Sequence, residues 1–451
     1  MIKVSGWLCC AVVALTLVGC VSKNYQSGYT LEQVTRAAEK GHASAQLELG
    51  TRCFDGRRYD EAAQWYGKAA DQGNARAIGR LGWCYYVGAG VTQDYVRAAD
   101  LFRKSAEKGD AQSQFNLARR SIERGLGVPS DEQEAMKWYL KAAAQGHSMA
   151  QNNLAACYST GSEVVRDYAE AVKWYRRAAV QGNPLAQRNL AFCYNDGKGV
   201  PQNRGEALIW YRLSAEQGDR NAQAMLAHYY ANGLGGVQTN FAQSSRWYLK
   251  AAESGDVVAM SNTGLHYLHG IGVPKDVVKA AEWFRKAAGN GNIRAQCYLA
   301  WCYARGEGVA MDKVESVRLY RMAAEQDDAD AQYNMGRCYQ MAVGVKRDFA
   351  EAAKWYKKAA DQGHARGIGQ YGWCLVNGNG VTKNEKEGFV WLTTAVEKGD
   401  HNSEYDLAEC YEKGVGVAKD EAKALELYKL SAQYGDAEAK KWLKEREKKG
   451  L

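Results

Sequence analysis

The sequence predicts an all-α solenoid of about eleven helix–turn–helix repeats, on three observations. A glycine returns at a fixed step, at Gly41, Gly73, Gly109, Gly146, Gly182, Gly218, Gly255, Gly291, Gly363, Gly399 and Gly435, and Asp327 fills the one slot without it. Eight steps are 36 residues, two are 37 and the first is 32, and a period of this size marks stacked helical units. Each period also holds two helical patterns. In the unit from Gly146 to Gly182, Ala150, Leu154 and Tyr158 share one face, and Ala171, Trp174, Tyr175, Ala178 and Ala179 share another. Neither helix buries its apolar face alone, so each unit needs neighbours. Eleven pairs follow, with one helix before Gly41 and one after Gly435.

The recurring positions have mechanical roles. The glycine suits the left-handed residue that stops the second helix. The residue after it is Asn, Asp or His throughout, for example Asn74, Asp110, His147 and Asp219, and Asn or Asp there caps the next helix. Seven residues before the Trp slot, ten of eleven units carry Asp or Asn, from Asp94 and Asp131 to Asn384 and Asp420. Glu134, Glu170, Glu206, Glu315, Glu351 and Glu387 stand three residues on, where a capping box is expected.

The Trp slot holds Trp65, Trp138, Trp174, Trp210, Trp247, Trp283, Trp355 and Trp391, with leucine at Leu101, Leu319 and Leu427. An aromatic usually follows, then a pair of small residues. At helical spacing this stripe is expected to pack adjacent helices, the small residues allowing axes to approach to ~8–10 Å.

The combined pattern has a name. Ala186, Gln187, Leu190, Tyr194, Gly197, Gly199 and Val200, then Asn203, Glu206, Ala207, Trp210, Tyr211, Ala215 and Gly218, closely resemble the Sel1-like repeat, a relative of the tetratricopeptide repeat with longer loops. The resemblance covers residues 31–449 and implies a right-handed superhelix that acts as an adaptor for protein complexes. Local departures are a short first loop (Gly56 to Tyr59), Ala342 in place of the first loop glycine, and a rewritten loop from Ser162 to Val165.

Residues 1–20 carry Lys3, an apolar run from Trp7 to Val18, and Leu17-Val18-Gly19-Cys20. The run is shorter than the ~20 apolar residues of a spanning helix and is that of an export signal. Its end resembles a bacterial lipobox, which implies that Cys20 becomes a lipidated mature N-terminus. Val21 follows, not the Asp that favours inner-membrane retention in many Gram-negative bacteria, so the expected location is the cell envelope, at the outer membrane. Residues 21–30 form a polar tether ahead of the solenoid at 31–449.

The net charge of +8 arises from 59 basic and 51 acidic residues, interspersed. No basic run interleaved with aromatics occurs, which argues against nucleic-acid binding. The mixed-charge end from Lys440 to Lys449 caps the stack. Seven cysteines occupy one slot, from Cys84 and Cys157 to Cys374 and Cys410. Their spacing matches no zinc motif, and they are expected to be small buried residues with free thiols. His266 and His269 stand three residues apart in one helix, with His228 in the unit before, and a metal site from these three is not expected. No nucleophile–base order or phosphate loop occurs; the G-x-G-V segments are turns. The expectation is a non-enzyme without cofactor or metal.

A surface that varies remains. The resemblance places the first helix of each pair on the concave face. Seven residues after the repeat glycine stand Asn116, Asn153, Asn189, Asn262 and Asn334. Three residues further on stand Trp83, Phe192, His228, Trp301 and Trp373. Asn offers a donor and an acceptor to an extended peptide backbone, and aromatics supply anchors. Equally, the Asn row can satisfy backbone groups within the stack. The two functional readings are a lipid-anchored scaffold that binds a protein or extended peptide in this groove, and a cell-envelope module for peptidoglycan or another glycan.

Overall fold

The computed structural model describes residues 29–122, 132–161 and 164–448. The signal-like segment with Cys20, nearly all of the tether, and the loop around Pro129 and Asp131 lie outside the described residues. Twenty-four α-helices are present among the described residues, and no strand. The leading helix Leu31–Glu39 and the trailing helix Ala437–Lys448 bracket eleven pairs. The chain divides into two compact units, one ending at Pro201 and one beginning at Gln202. In each unit every helix packs on its predecessor and successor in sequence.

The repeat glycine does what its position requires. Gly182 has φ of 86° and ends the helix Tyr168–Val180, and Asp327 adopts φ of 62° in the equivalent turn. Asn183 then caps the next helix by accepting from the Ala186 amide at 3.0 Å. His147 and His364 cap in the same way through Nδ1, at 3.2 and 2.9 Å, a role the sequence assigned only to Asn and Asp. Unit eleven departs: Asp400 accepts from the Ser403 hydroxyl at 2.6 Å, and the first helix starts late, at Ser403.

The Asp and Asn caps of the second helices form as expected, for example Asp167 accepting from Glu170 N at 2.9 Å. The capping box does not follow. Glu170, Glu315 and Glu351 instead turn along the helix to pair with Lys173, Arg318 and Lys354. The cap amide is already in use: Asp167, Asp312 and Asp348 donate theirs to the Tyr158, Tyr303 and Tyr339 carbonyls of the preceding helices, at 2.9–3.1 Å.

Both loop glycines are explained by backbone. Ala342 keeps the first one's left-handed geometry, with φ of 57°, so the substitution leaves the turn intact at a steric cost. The second, such as Gly199 at φ of 72°, lies so close to the Tyr168 carbonyl that any Cβ would overlap it. That contact seats the loop on the N-terminus of the second helix of the preceding pair.

The most buried aromatic is the residue after the Trp slot. Tyr66, Phe102, Tyr211, Phe284, Tyr356 and Tyr428 are completely enclosed. Trp174, Trp210, Trp247 and Trp283 are only half-buried. A cation three residues on covers the indole: Lys68 over Trp65, Lys141 over Trp138, Arg177 over Trp174 and Lys250 over Trp247, at 4.1–4.4 Å. Packing therefore rests mainly on the Tyr slot; in the Trp slot Trp138 and Trp355 are buried in the core, and the half-buried indoles lie at its edge under their cations.

The repeat glutamine is a buried clamp. Gln296 donates to the Ala288 carbonyl of the preceding helix at 3.5 Å and accepts from Gln326 at 3.1 Å. Gln332 repeats this with Ala324 and Gln362, at 3.2 and 2.8 Å.

Candidate functional site: the inner face of the first helices

Consecutive first helices approach each other within each unit. In the first unit Ala75–Val87 meets Ala111–Ile122; in the second, Ala329–Met341 meets Ala365–Asn377, which meets Ser403–Lys413. These pairs of alternate helices in contact are all first helices, the helices to which the sequence assigned the groove.

In the first unit, Trp83, Asn116, Asn153 and Asn189 are all half-buried on these helices. The asparagines do not stand as independent donors. Asn153 donates to the Tyr139 hydroxyl at 3.2 Å and accepts from Asn152 at 3.2 Å. Asn152 accepts in turn from Asn189 at 3.0 Å. One polar chain thus ties three repeats together. Asn116 accepts from Gln112 at 3.1 Å. Trp83 leans on Tyr86, with ring centroids 5.3 Å apart. Phe192 is more open, 45% exposed, with the Lys198 ammonium 4.4 Å from its ring.

In the second unit, Asn262, Asn334, Trp301 and Trp373 are half-buried and His228 is exposed. Asn334 donates to the Asp330 carbonyl of its own helix at 2.9 Å. Trp301 has one side on the buried core and the Arg305 guanidinium 5.4 Å from its ring. Trp373 is similarly backed by core and lines a cleft of about 80 Å³ with Asp406, Glu409 and Lys413. Burial and then the carboxylates of Glu409, Asp400 and Asp436 push the Asp406 carboxyl up to about 7. The inner face therefore offers half-open indoles beside titratable and charged groups, which suits capture of a mixed apolar and polar chain.

The nine described cysteines are single thiols. Burial pushes Cys84, Cys193, Cys302 and Cys338 up to about 11, and Cys297, Cys374 and Cys410 up to about 12. A thiol so shifted is a poor nucleophile at neutral pH. Among the described residues no His, Cys, Asp and Glu side chains cluster to hold a metal ion, and no helix is long and apolar enough to cross a membrane. Sequence reasoning missed the Gln clamp and the Asn152 link. The signal for the first was present: glutamine five residues after one repeat glycine is matched by glutamine just before the next, as in Gln46 and Gln72.

Comparison with known proteins agrees with this fold. The Sel1 repeat model matches eleven segments, from 43–74 to 401–436. A crystal structure of c5321, described as a protective antigen of uropathogenic Escherichia coli strains with an SLR fold, is 36% identical, covering 94% of this chain and 91% of that one, with TM-score 0.83. A Sel1 repeat protein from Oxalobacter formigenes is 33% identical over 70% of this chain and 95% of its own, with TM-score 0.52. The Arabidopsis thaliana protein HRD3A, an ERAD-associated E3 ubiquitin-protein ligase component, is 31% identical over 121 residues, 26% of this chain. The matched stretch spans 18% of HRD3A and 20% of the related HRD3B. The chain belongs to the Sel1 repeat family.

Proposed function

We propose that this chain is a non-catalytic scaffold that captures an extended segment of a protein partner along the inner face of its first helices, and that it is held to the cell envelope by lipid on Cys20. Sel1 repeat proteins are generally protein-interaction scaffolds. The observation that carries the reading is the set of half-buried indoles at one helix phase: Trp83 in the first unit, Trp301 and Trp373 in the second. Each is backed by neighbouring side chains and keeps part of its ring open, the arrangement of an anchor rather than of a finished core. The asparagines position the helices beneath.

Anchoring is supported by Leu17-Val18-Gly19-Cys20 after a short apolar run. A lipid with more than one acyl chain passes the single-chain threshold for stable attachment.

A photo-crosslinking residue placed at Phe192 or Trp301 tests the groove against the outer face, represented by exposed Ile209. The reading predicts discrete protein adducts from the two inner positions in whole cells and none from Ile209. Equal adducts from all three positions contradict it. Sedimentation of the protein with purified sacculi, undiminished by Trp301→Ala, favours a glycan module instead.

A further inference from the structure

The eleventh repeat changes the chemistry of the inner face. Asp406 continues the row of Asn153, Asn189, Asn262 and Asn334, and Glu409 continues the row of Trp301 and Trp373. Both newcomers are acids. They meet the last indole of the row: Trp373, Asn377, Asp406, Glu409 and Lys413 line one cleft of about 80 Å³, where the helix Ala365–Asn377 approaches the helix Ser403–Lys413.

The lining is short of positive charge. Trp301 has the Arg305 guanidinium of its own helix 5.4 Å from its ring. Four residues after Trp373 stands Asn377 instead, so the same position brings this indole no cation. Asn377 donates from Nδ2 to the Trp373 carbonyl at 3.0 Å, which leaves its Oδ1 to accept. Lys413 already donates to Glu409 at 2.6 Å. Asp406 has no such companion: among the described residues no hydrogen bond or ion pair reaches its carboxylate. Burial first, and then the like charges of Glu409, Asp400 and Asp436, push that carboxyl up to about 7. A cation seated beside it would relieve both effects.

We propose that this cleft seats a basic side chain, lysine or arginine, of the protein segment that the inner face captures. The inference rests on that reading of the inner face and names the residue type taken at the eleventh repeat. The charged head pairs with the Asp406 carboxylate and Asn377 Oδ1, and the aliphatic stem lies on the Trp373 indole. The alternatives fit less well. An anion meets the Asp406 carboxylate and finds one ammonium, that of Lys413, already held by Glu409. An apolar side chain covers Asp406 and leaves its charge unpaired. Water fits the space, about three molecules by liquid volume, but brings no charge to offset the carboxylate.

The test uses the full chain at pH 8, above the Asp406 value, with Nα-acetyl-lysine methylamide as the probe and Nα-acetyl-norleucine methylamide as its uncharged analogue. Ligand-observed NMR titration is expected to show saturable millimolar binding of the lysine probe, with the norleucine analogue weaker by about tenfold or more. Asp406→Asn, which restores the residue type of Asn334, is expected to lose lysine-probe binding by about tenfold or more and to melt no lower than wild type. Absence of lysine-probe binding to wild type, equal binding of the norleucine analogue, or binding retained by Asp406→Asn overturns the subsite. Crosslinking at Phe192 and Trp301, neither of which lines the cleft, reads the inner face separately. Adducts there without lysine-probe binding sink the subsite alone; lysine-probe binding without adducts sinks the capture reading alone.

Discussion

Gln181 reaches back thirty residues to donate from Nε2 to Oε1 of Gln151 at 2.7 Å, and Gln151 donates in turn to the Ala143 carbonyl at 3.0 Å. Gln151 is buried and Gln181 exposed. Three consecutive helices are joined by two amides. Gln151→Leu leaves the carbonyl without its donor, and the expected loss is ~1–3 kcal/mol. Gln181→Ala, at the wet end, should cost under ~1 kcal/mol. Denaturant midpoints of the two variants check the order; an equal loss would mean the ladder is not a buried clamp.

The burial of the two aromatic slots ranks their substitutions. Tyr211 is 1% exposed, whereas Trp210 is half-buried. Tyr211→Ala should lower stability by ~3–5 kcal/mol, and Trp210→Ala by clearly less. Chemical denaturation of both variants compares them directly.

His147 caps a helix only as a neutral ring. Its Nδ1 accepts from the Ala150 amide, so Nε2 carries the proton and donates to Gln112 at 3.1 Å. Burial lowers its pKa, against a smaller opposing effect of Asp110. The unfolded chain therefore binds more protons on acidification. The stability this gives is present above the unfolded value of about 6.5 and is lost as pH falls through the depressed folded value. His147→Asn keeps the cap without the titration, so unfolding midpoints between pH 7 and pH 5 should fall less for the variant than for wild type.

The thiols act at the opposite end of the scale. The folded pKa values of Cys84 and Cys374 are raised to about 11 and about 12 by burial. Their contribution is full below the unfolded value of about 8.5 and is lost as pH rises through those folded values. Native protein at pH 8 should resist iodoacetamide at both sites and react rapidly once denatured. Mass spectrometry of the unreduced, denatured protein should find no linked peptides joining Cys338 to Cys374 or Cys374 to Cys410.

The architecture was legible because the repeat writes each structural rule many times. Gly182, Asn183 and Asp167 stand at positions where backbone geometry leaves little choice, and the structure uses each as local reasoning requires. The misses arise where a partner lies outside the local pattern. Glu170 pairs with Lys173 because the Asp167 amide already donates to the Tyr158 carbonyl at 2.9 Å. Trp174 packs on the core as its spacing implies, and Arg177, 4.4 Å from its ring, covers the side left open. The candidate groove was legible only as a helix phase. Sequence spacing puts Asn153 and Asn189 in one row, but Asn152 joins them only in the folded chain.

The central claim is that inner-face indoles bind a partner while the slots beneath them hold the fold. Co-isolation from crosslinked cells, comparing wild type with the Trp301→Ala, Trp373→Ala double variant and with Tyr356→Ala, tests it most directly when paired with melting temperatures. Loss of an aromatic anchor can cost ≥ ~2 kcal/mol of binding, a drop of more than about tenfold in affinity. The account predicts that the double variant loses its co-isolated partner while melting within a few degrees of wild type, and that Tyr356→Ala melts far lower. If the double variant melts as low as Tyr356→Ala, or keeps its partner in full, the indoles are core and the inner face is not the binding surface.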